Sequence, residues 1–77
     1  MKKSIYSEKH TKLCELLIEG RKEAGLTQQE LAAAIGKHQS FIAKYEGGER
    51  RLDLIELIEI SKYIGLNVSE LVLDLSQ

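Results

Sequence analysis

Apolar residues recur along this 77-residue chain at the three- and four-residue intervals that are typical of amphipathic helices. A first segment with this pattern runs from about Ser7 to Ala24 and stops at Gly25, where a left-handed cap is expected. Shorter segments follow at about residues 28–35, 39–46, 53–65 and 68–74. Proline, the strongest helix breaker, is absent. The pattern therefore predicts an all-α domain of five helices.

Capping residues mark the starts of the later helices. Thr27 is followed three positions later by Glu30, a spacing that predicts a capping box with two reciprocal side-chain-to-backbone hydrogen bonds. Asp53 and Asn67 are strong N-caps for the fourth and fifth segments, and each also precedes a Glu by three positions. We therefore expect short, well-delimited helices joined by brief connections, in one domain that spans residues 1–77.

The helices at about residues 28–47 form a characteristic pair. Leu31 and Ile35 lie on one face of the first helix, and Ile42 and Tyr45 lie on one face of the second. Gly36 stands between the helices, where the backbone must turn sharply. Two helices joined by a turn of about three or four residues that contains Gly are typical of a helix-turn-helix unit.

The second helix of this pair has two different faces. The face expected to point inward comprises Phe41, Ile42 and Tyr45, and the opposite face comprises Gln39, Ser40, Ala43 and Lys44. Gln can pair with adenine, Lys with guanine, and a small Ala permits close approach to a thymine methyl group. The outer face could equally be the ordinary polar surface of an amphipathic helix, so the pattern alone leaves both interpretations open.

The net charge of −1 does not by itself indicate a nucleic-acid-binding protein. The distribution of charged residues along the chain is more informative than the total. Residues 21–51 contain six Lys or Arg and four Glu, whereas residues 52–77 contain one Lys and five acidic residues. We expect the last third of the chain to face away from any polyanion.

Several function classes find no support in the sequence. The single cysteine, Cys14, is expected to be a half-buried helix residue, and it excludes an intrachain disulfide. His10 and His38 lack further ligands at metal spacing, so we expect no metal and no cofactor. No apolar run approaches the roughly 18 residues of a membrane span, and the amino terminus lacks a signal-peptide core. A Gly-rich phosphate loop and a His–carboxylate cluster are both absent from the sequence, which argues against an enzyme. The single cysteine fits a reducing compartment, so we expect a cytoplasmic protein.

The chain resembles the lambda-repressor-like helix-turn-helix family, also called the Cro/CI or Xre type. The matching residues are Arg21, Gly25, Leu26, Thr27, Gln28, Glu30, Leu31, Ala32, Gly36, Gln39, Ser40, Ile42, Tyr45, Glu46, Gly48, Leu57, Leu66 and Leu71. They stand at the family's spacing across most of the chain, from about residue 13 to residue 72. The resemblance implies a compact five-helix DNA-binding domain whose third helix enters the major groove of duplex DNA.

The resemblance also implies roles for individual residues. Bases would be read by Gln39, Ser40 and Lys44, with Ala43 allowing close approach and His38 at the edge of the groove. The DNA phosphates would meet Gln28 at the start of the second helix and Gly47, Arg50 and Arg51 after the third helix. The charged head of Lys37, which this chain has in the turn, would also reach outward to a phosphate. Lys37 and His38 depart from the family pattern, which often has an aliphatic residue and a Ser or Thr cap at these positions. Arg21 and Glu46 would form an ion pair that ties the first helix to the end of the third.

The carboxy-terminal helices, at about residues 53–75, are expected to serve both the core and dimerisation. The inward face of the fourth helix is predicted to comprise Leu54, Leu57, Ile58, Ile60 and Ile64, which leaves Ile55 among polar neighbours. The fifth helix has more apolar surface than one side can bury, and such an excess often marks an interface. We expect a homodimer that uses Ile55, Leu71, Val72 and Leu75; the alternative is a monomer whose terminal helix is fully buried.

Together, these expectations indicate that the protein is a sequence-specific regulator of transcription. We expect it to be a repressor that binds a palindromic operator as a homodimer. The alternative is an antitoxin-type helical module whose main role is binding to another protein.

Overall fold

The computed structural model describes residues 7–77, which form five α-helices without a strand in that range. Their bounds are α1 Glu8–Glu23, α2 Gln28–Ile35, α3 Gln39–Glu46, α4 Leu54–Ile64 and α5 Val68–Leu75. The predicted bounds of α2 and α3 are confirmed, and α5 runs one residue further than predicted. Residues 1–6 of the expected domain lie outside the described part of the chain.

Side-chain caps explain where most of the helices begin. Thr27 accepts a hydrogen bond from the backbone N–H of Glu30, whose carboxylate accepts from the backbone N–H of Thr27, so the predicted capping box is confirmed. Asp53 forms the same reciprocal arrangement at the start of α4, and Asn67 caps α5. These local bonds satisfy backbone donors that would otherwise lack a partner, which fixes the helix starts independently of tertiary packing.

The core lies between α1, α2, α3 and α4. Its most deeply buried side chains, all with less than 2% of their surface exposed, are Leu17, Leu31, Ile42, Tyr45, Ile60 and Ser61. Helix α2 packs chiefly on α3, while α1 also contacts α3, α4 also contacts α2, and α1 and α4 contact each other. At Gly20, a Cβ atom would lie 3.1 Å from Cδ1 of Ile64, so α1 and the end of α4 approach each other closely there.

The inward face of α4 is narrower than the one predicted. Leu54 and Ile58 were expected to point inward, but they are 63% and 38% exposed. Ile60 and Ile64 are buried as predicted, Leu57 is half-buried against the core, and Ser61 is buried beside them. Leu54 and Ile58, together with Ile55, therefore form an exposed apolar strip on the first two turns of α4.

Helix α5 packs on α1 and α4 through its inner face. Leu71 is only 4% exposed and therefore belongs to the core, which corrects its expected place in a dimer interface. Leu75 is half-buried, whereas Val72 is 51% exposed. No helix within residues 7–77 has the length and apolar character needed to cross a membrane.

Candidate nucleic-acid interface

The turn between α2 and α3 is formed by Gly36, Lys37 and His38. Gly36 has a φ of 72°, in the left-handed region that favours glycine, and the backbone N–H of Lys37 donates to the carbonyl of Ala32 at 2.8 Å. His38 is the N-cap residue of α3 but provides no side-chain capping bond. The turn therefore depends on backbone geometry, and it leaves both the Lys37 and His38 side chains exposed.

Helix α3 is anchored by its inward face and exposes its polar face. Ile42 and Tyr45 are 0% and 1% exposed, while Phe41 and Ala43 are half-buried. The side chains of Gln39, Ser40 and Lys44 are exposed, and Glu46 at the end of the helix is buried. A helix held in this way presents a row of hydrogen-bonding groups to one side of the domain.

A buried ion pair joins α1 to the end of α3. Nε of Arg21 lies 2.7 Å from Oε2 of Glu46, and Nη2 of Arg21 donates to Oε1 at 3.0 Å. Nη1 of Arg21 donates to the carbonyl of Leu26, just before α2. The hydrogen bonds to Glu46 raise the pKa of Arg21 above its ordinary value. The structure thus brings together the two residues that the family resemblance paired, and one guanidinium joins α1, the segment before α2 and the end of α3.

Two glutamines extend this ion pair to the exposed face. Nε2 of Gln28 donates to Oε1 of Glu46 at 2.8 Å, and Nε2 of Gln39 donates to Oε1 of Gln28 at 2.6 Å. Four side chains therefore form a continuous hydrogen-bonded row from the interior to the start of α3, in the order Arg21, Glu46, Gln28 and Gln39. The Gln28–Gln39 bond was not predicted from the sequence; the signal for it was that both glutamines are the first residues of the two helices of the helix-turn-helix unit.

A basic concavity lies beside this row. It is a shallow cavity of about 320 Å³, and its lining includes Lys37, Ser40, Phe41, Lys44 and Arg50. Nζ of Lys37 lies 5.2 Å from the centre of the Phe41 ring, and Cζ of Arg50 lies 4.8 Å from it. Both distances are within the range of cation–π attraction. The aromatic ring therefore gathers two cations next to the outer face of α3.

Arg50 also forms a bidentate ion pair, which its sequence position did not predict. Its two terminal nitrogens donate to the two carboxylate oxygens of Glu56 at 3.0 and 3.1 Å, and Nη1 also donates to the carbonyl of Arg51. Glu56 is at the same time the capping-box carboxylate of α4. Arg50 thereby stabilises the path of residues 49–53 toward α4, and its contact with a phosphate stays a prediction.

Comparison with known proteins assigns the chain to a family. A family profile described as helix-turn-helix matches residues 17–71. The chain belongs to the Xre-type helix-turn-helix family. An XRE-family-like protein from Pseudomonas syringae pv. tomato str. DC3000 has a similar structure, with a TM-score of 0.82 and 44% sequence identity over 88% of this chain and 83% of that one. An uncharacterized HTH-type transcriptional regulator, y4dJ of Sinorhizobium fredii (strain NBRC 101917 / NGR234), is 38% identical over 52 residues, which is 68% of each chain.

The family identifies this chain as a DNA-binding regulator of transcription with the predicted five-helix fold, and α2 and α3 are its helix-turn-helix. In this Xre-type domain, α3 ends at Glu46 and is followed by Gly47 and Gly48. Gly48 has a φ of 82°, and the next backbone N–H, of Glu49, donates to the carbonyl of Lys44 at 2.8 Å. Gly47 is exposed beside this turn, and its contact with a phosphate stays a prediction.

Cys14 and His10 lie on α1, away from the exposed row of α3. Cys14 is 7% exposed, and so it is buried rather than half-buried as expected; its thiol donates to the carbonyl of Tyr45 at 3.2 Å. Burial raises the pKa of the Cys14 thiol. Nε2 of His10 lies 3.8 Å from the sulfur. Residues 7–77 contain no group of three or more His, Cys, Asp or Glu side chains that could hold a metal ion.

The Arg50–Glu56 pair makes the stability of the Xre-type domain depend on pH. Hydrogen bonds from Arg50 and from the backbone N–H of Asp53 hold the pKa of Glu56 below its ordinary value of 4.5. The stabilisation is therefore present above pH 4.5 and is lost as the pH falls through the lowered pKa. Glu56→Gln keeps the capping-box acceptor but removes the charge, so we expect this variant to have a lower free energy of unfolding than wild type at neutral pH. The difference between the two proteins should shrink below pH 4.5, because Glu56 of the wild type then becomes protonated.

Urea denaturation of both proteins between neutral and acidic pH measures this difference. Glu59→Gln, which removes an exposed carboxylate from the same helix, is the matched control and should follow the wild-type profile. A Glu56→Gln deficit that stays constant across the acidic range would rule out the expected linkage.

Proposed function

We propose that this protein is a sequence-specific repressor that reads the major groove of duplex DNA with α3 and binds a palindromic operator as a homodimer. The observation that carries the proposal is the shared outward direction of Gln39, Ser40 and Lys44, on a helix whose opposite face is locked into the core. A helix of this kind fits the major groove, where its first residues meet base edges.

Each exposed residue of α3 suits a particular contact. Gln39 gives one amide hydrogen to Gln28, which leaves its second hydrogen and its carbonyl oxygen to pair with N7 and N6 of adenine. The Lys44 ammonium suits O6 and N7 of guanine, and the Ser40 hydroxyl can donate or accept. Ala43 permits close approach, and His38 lies at the start of the helix, at the proposed edge of the groove. Gln28 contributes to base recognition indirectly, because its hydrogen bond orients the Gln39 side chain.

The proposed phosphate contacts lie on either side of these residues. Lys37 borders the basic concavity, and Gly47, Arg50 and Arg51 follow α3. Gln28 has its side chain engaged with Glu46 and Gln39, so its contact would come from the start of α2, where backbone N–H groups attract anions. These groups would hold the domain on the duplex without reading its sequence.

Two copies are needed because one recognition helix contacts only a few base pairs. A two-fold dimer places its recognition helices about 34 Å apart, in successive major grooves. Within the single domain 1–77, the exposed Ile55 and Val72 and the half-buried Leu75 are the apolar residues that we assign to this pairing, through α4 and α5. We place the protein in the cytoplasm, where a reduced Cys14 thiol is expected.

Selection of bound sequences from random duplex DNA tests the proposal directly. We expect an enriched inverted repeat, and an affinity for random duplex that falls steeply with salt because phosphate binding releases counterions. The exposed apolar strip of α4 also suits the antitoxin-type alternative, a module that mainly binds another protein. Failure to enrich any sequence, together with salt-insensitive binding to one protein partner, would favour that alternative.

A further inference from the structure

We propose that Phe41 is a positioning residue of the DNA interface, whose ring holds the Lys37 ammonium in place to bind a single backbone phosphate. The proposal rests on the proposed function, because duplex DNA is the source of that phosphate. It goes further by assigning a task to an aromatic residue of α3, and by placing Lys37 ahead of Arg50 among the cations of the basic concavity.

The Phe41 ring is fixed in orientation by the core. Phe41 is half-buried and packs against the core cluster. Its ring meets that of Tyr45 edge to face, with 5.5 Å between the ring centres and 69° between the ring planes, and Tyr45 is only 1% exposed. This arrangement is a preferred geometry of aromatic pairs. The Phe41 ring is therefore a stationary partner for the charged side chains that lie over it.

Lys37 is held at both of its ends. Its backbone N–H donates to the carbonyl of Ala32 at 2.8 Å, and its Nζ lies 5.2 Å from the centre of the Phe41 ring. The face of an aromatic ring attracts an ammonium group, while the methylene stem of the lysine covers apolar surface. A lysine side chain loses rotational freedom when it binds a phosphate, so ordering it beforehand makes the contact more favourable.

The charge of Lys37 is uncommitted, whereas that of Arg50 is not. Within residues 7–77, the Lys37 side chain forms no ion pair with a carboxylate. Arg50 lies over the same ring, with Cζ 4.8 Å from its centre, but both of its terminal nitrogens donate to Glu56. A phosphate would have to compete with Glu56 for Arg50, and it meets no such competitor at Lys37.

The carboxylates near the concavity do not cancel its charge. The hydrogen bonds with Glu56, together with the charges of Glu56 and Asp53, raise the pKa of Arg50. Glu56 and Asp53 are also bonded to each other's backbone in the capping box of α4. Arg50 therefore balances one of these carboxylates, while Lys37 and the exposed Lys44 line the cavity beside it. Three cations against two carboxylates leave a net positive site, which attracts a phosphate.

The Lys37–Phe41 contact distinguishes this chain from the family pattern, which often has an aliphatic residue at position 37. An aliphatic side chain there would cover the ring without presenting a charge. Lys37→Met reproduces that situation, because methionine keeps an unbranched stem over Phe41 and removes the ammonium. The substitution therefore tests the charge with little change in packing.

The ring contact has a spectroscopic signature in the free protein. Because the end of the Lys37 side chain lies over an aromatic ring, we expect the NMR signals of its ε-methylene protons upfield of those of Lys22, an exposed lysine on α1. Phe41→Leu should remove this difference, and Phe41→Tyr should retain it. Unshifted Lys37 signals in the wild type would overturn the proposal without any DNA measurement.

Binding to random duplex DNA over a series of salt concentrations separates positioning from contact. Lys37→Met removes one phosphate contact, so the affinity should fall and the slope of log affinity against log salt should become shallower by roughly 0.9. Phe41→Leu keeps the contact but releases the lysine, so we expect a roughly 2- to 5-fold loss of affinity with an unchanged slope. Phe41→Tyr should restore the affinity lost in Phe41→Leu. An affinity that Phe41→Leu leaves unchanged would contradict the proposal.

Combined variants test whether the ring acts through Lys37. Phe41→Leu added to Lys37→Met should cost no further affinity, whereas additive losses would show that the ring acts elsewhere. Arg50→Met with Glu56→Gln removes an opposite pair of charges and should cost less affinity than Lys37→Met; a larger cost would place Arg50 first. Lys12→Met, on the exposed face of α1, is the control for loss of one positive charge. Circular dichroism melting verifies that each variant is folded at the assay temperature.

These measurements distinguish failure of this inference from failure of the proposed function. Wild type that binds random duplex but shows additive losses in the double variant would refute the positioning role alone. Wild type that shows the expected pattern of variants on random duplex, yet enriches no sequence in the selection experiment, would refute sequence-specific reading alone. Wild type that binds no duplex DNA would refute both.

Discussion

Replacing Arg21 with methionine is expected to lower the free energy of unfolding by about 3–5 kcal/mol, because it leaves the carboxylate of Glu46 buried without its cation. Arg21 and Glu46 are 9% and 8% exposed, so solvent compensates little for the lost contact. The substitution also removes the donor to the carbonyl of Leu26. A domain of this size is only marginally stable, and such a loss approaches its whole expected stability.

Urea or thermal denaturation measures this loss. Lys22→Met, which replaces the neighbouring exposed cation on α1, is the matched control and should stay within about 0.5 kcal/mol of wild type. The double variant Arg21→Met, Glu46→Leu should recover part of the stability, since it removes the uncompensated charge. A cost below about 1 kcal/mol for Arg21→Met would mean that the ion pair contributes no more than an exposed pair does.

Replacing Lys44 or Gln39 with alanine is expected to reduce discrimination at one base position each by about 1–3 kcal/mol, which is roughly a 5- to 150-fold change in relative affinity. Both side chains are exposed on the outer face of α3, and neither is needed to pack the core. The loss should therefore affect the preferred sequence far more than random duplex.

Competition binding with operators that carry single base changes resolves these positions. Lys12→Ala, on the exposed face of α1, provides the matched loss of one positive charge and should leave base preference unchanged. Gln28→Ala should weaken discrimination at the same base position as Gln39→Ala, because it removes the acceptor that orients Gln39. Unchanged preference in both Lys44→Ala and Gln39→Ala would show that α3 is not the recognition helix.

The helix boundaries could be predicted because short-range chemistry determines them. Thr27, Asp53 and Asn67 cap their helices through residues three positions away, and Gly36 supplies the left-handed turn before α3. The two faces of α3 follow from the same local periodicity, since Ile42 and Tyr45 are the residues that a helical wheel places inward.

The remaining features depend on how neighbouring helices are rotated against one another, which periodicity does not give. A helical wheel shows which residues of α4 share a face, but how much of that face is covered depends on where α1 and α2 contact the helix, and so Leu54 and Ile58 were placed wrongly. Long polar side chains add a further ambiguity. Arg50 was expected at a phosphate, yet it reaches Glu56 across the connection to α4.

The shared carboxylate of Glu46 limits how this protein could be retargeted to a new operator. Because Glu46 accepts from both Arg21 and Gln28, a substitution there would disturb folding and base reading at once. The side chains of Ser40 and Lys44 are exposed and do not support the fold in this way. They are therefore the positions where a new binding preference could evolve, or be engineered, while the protein remains folded.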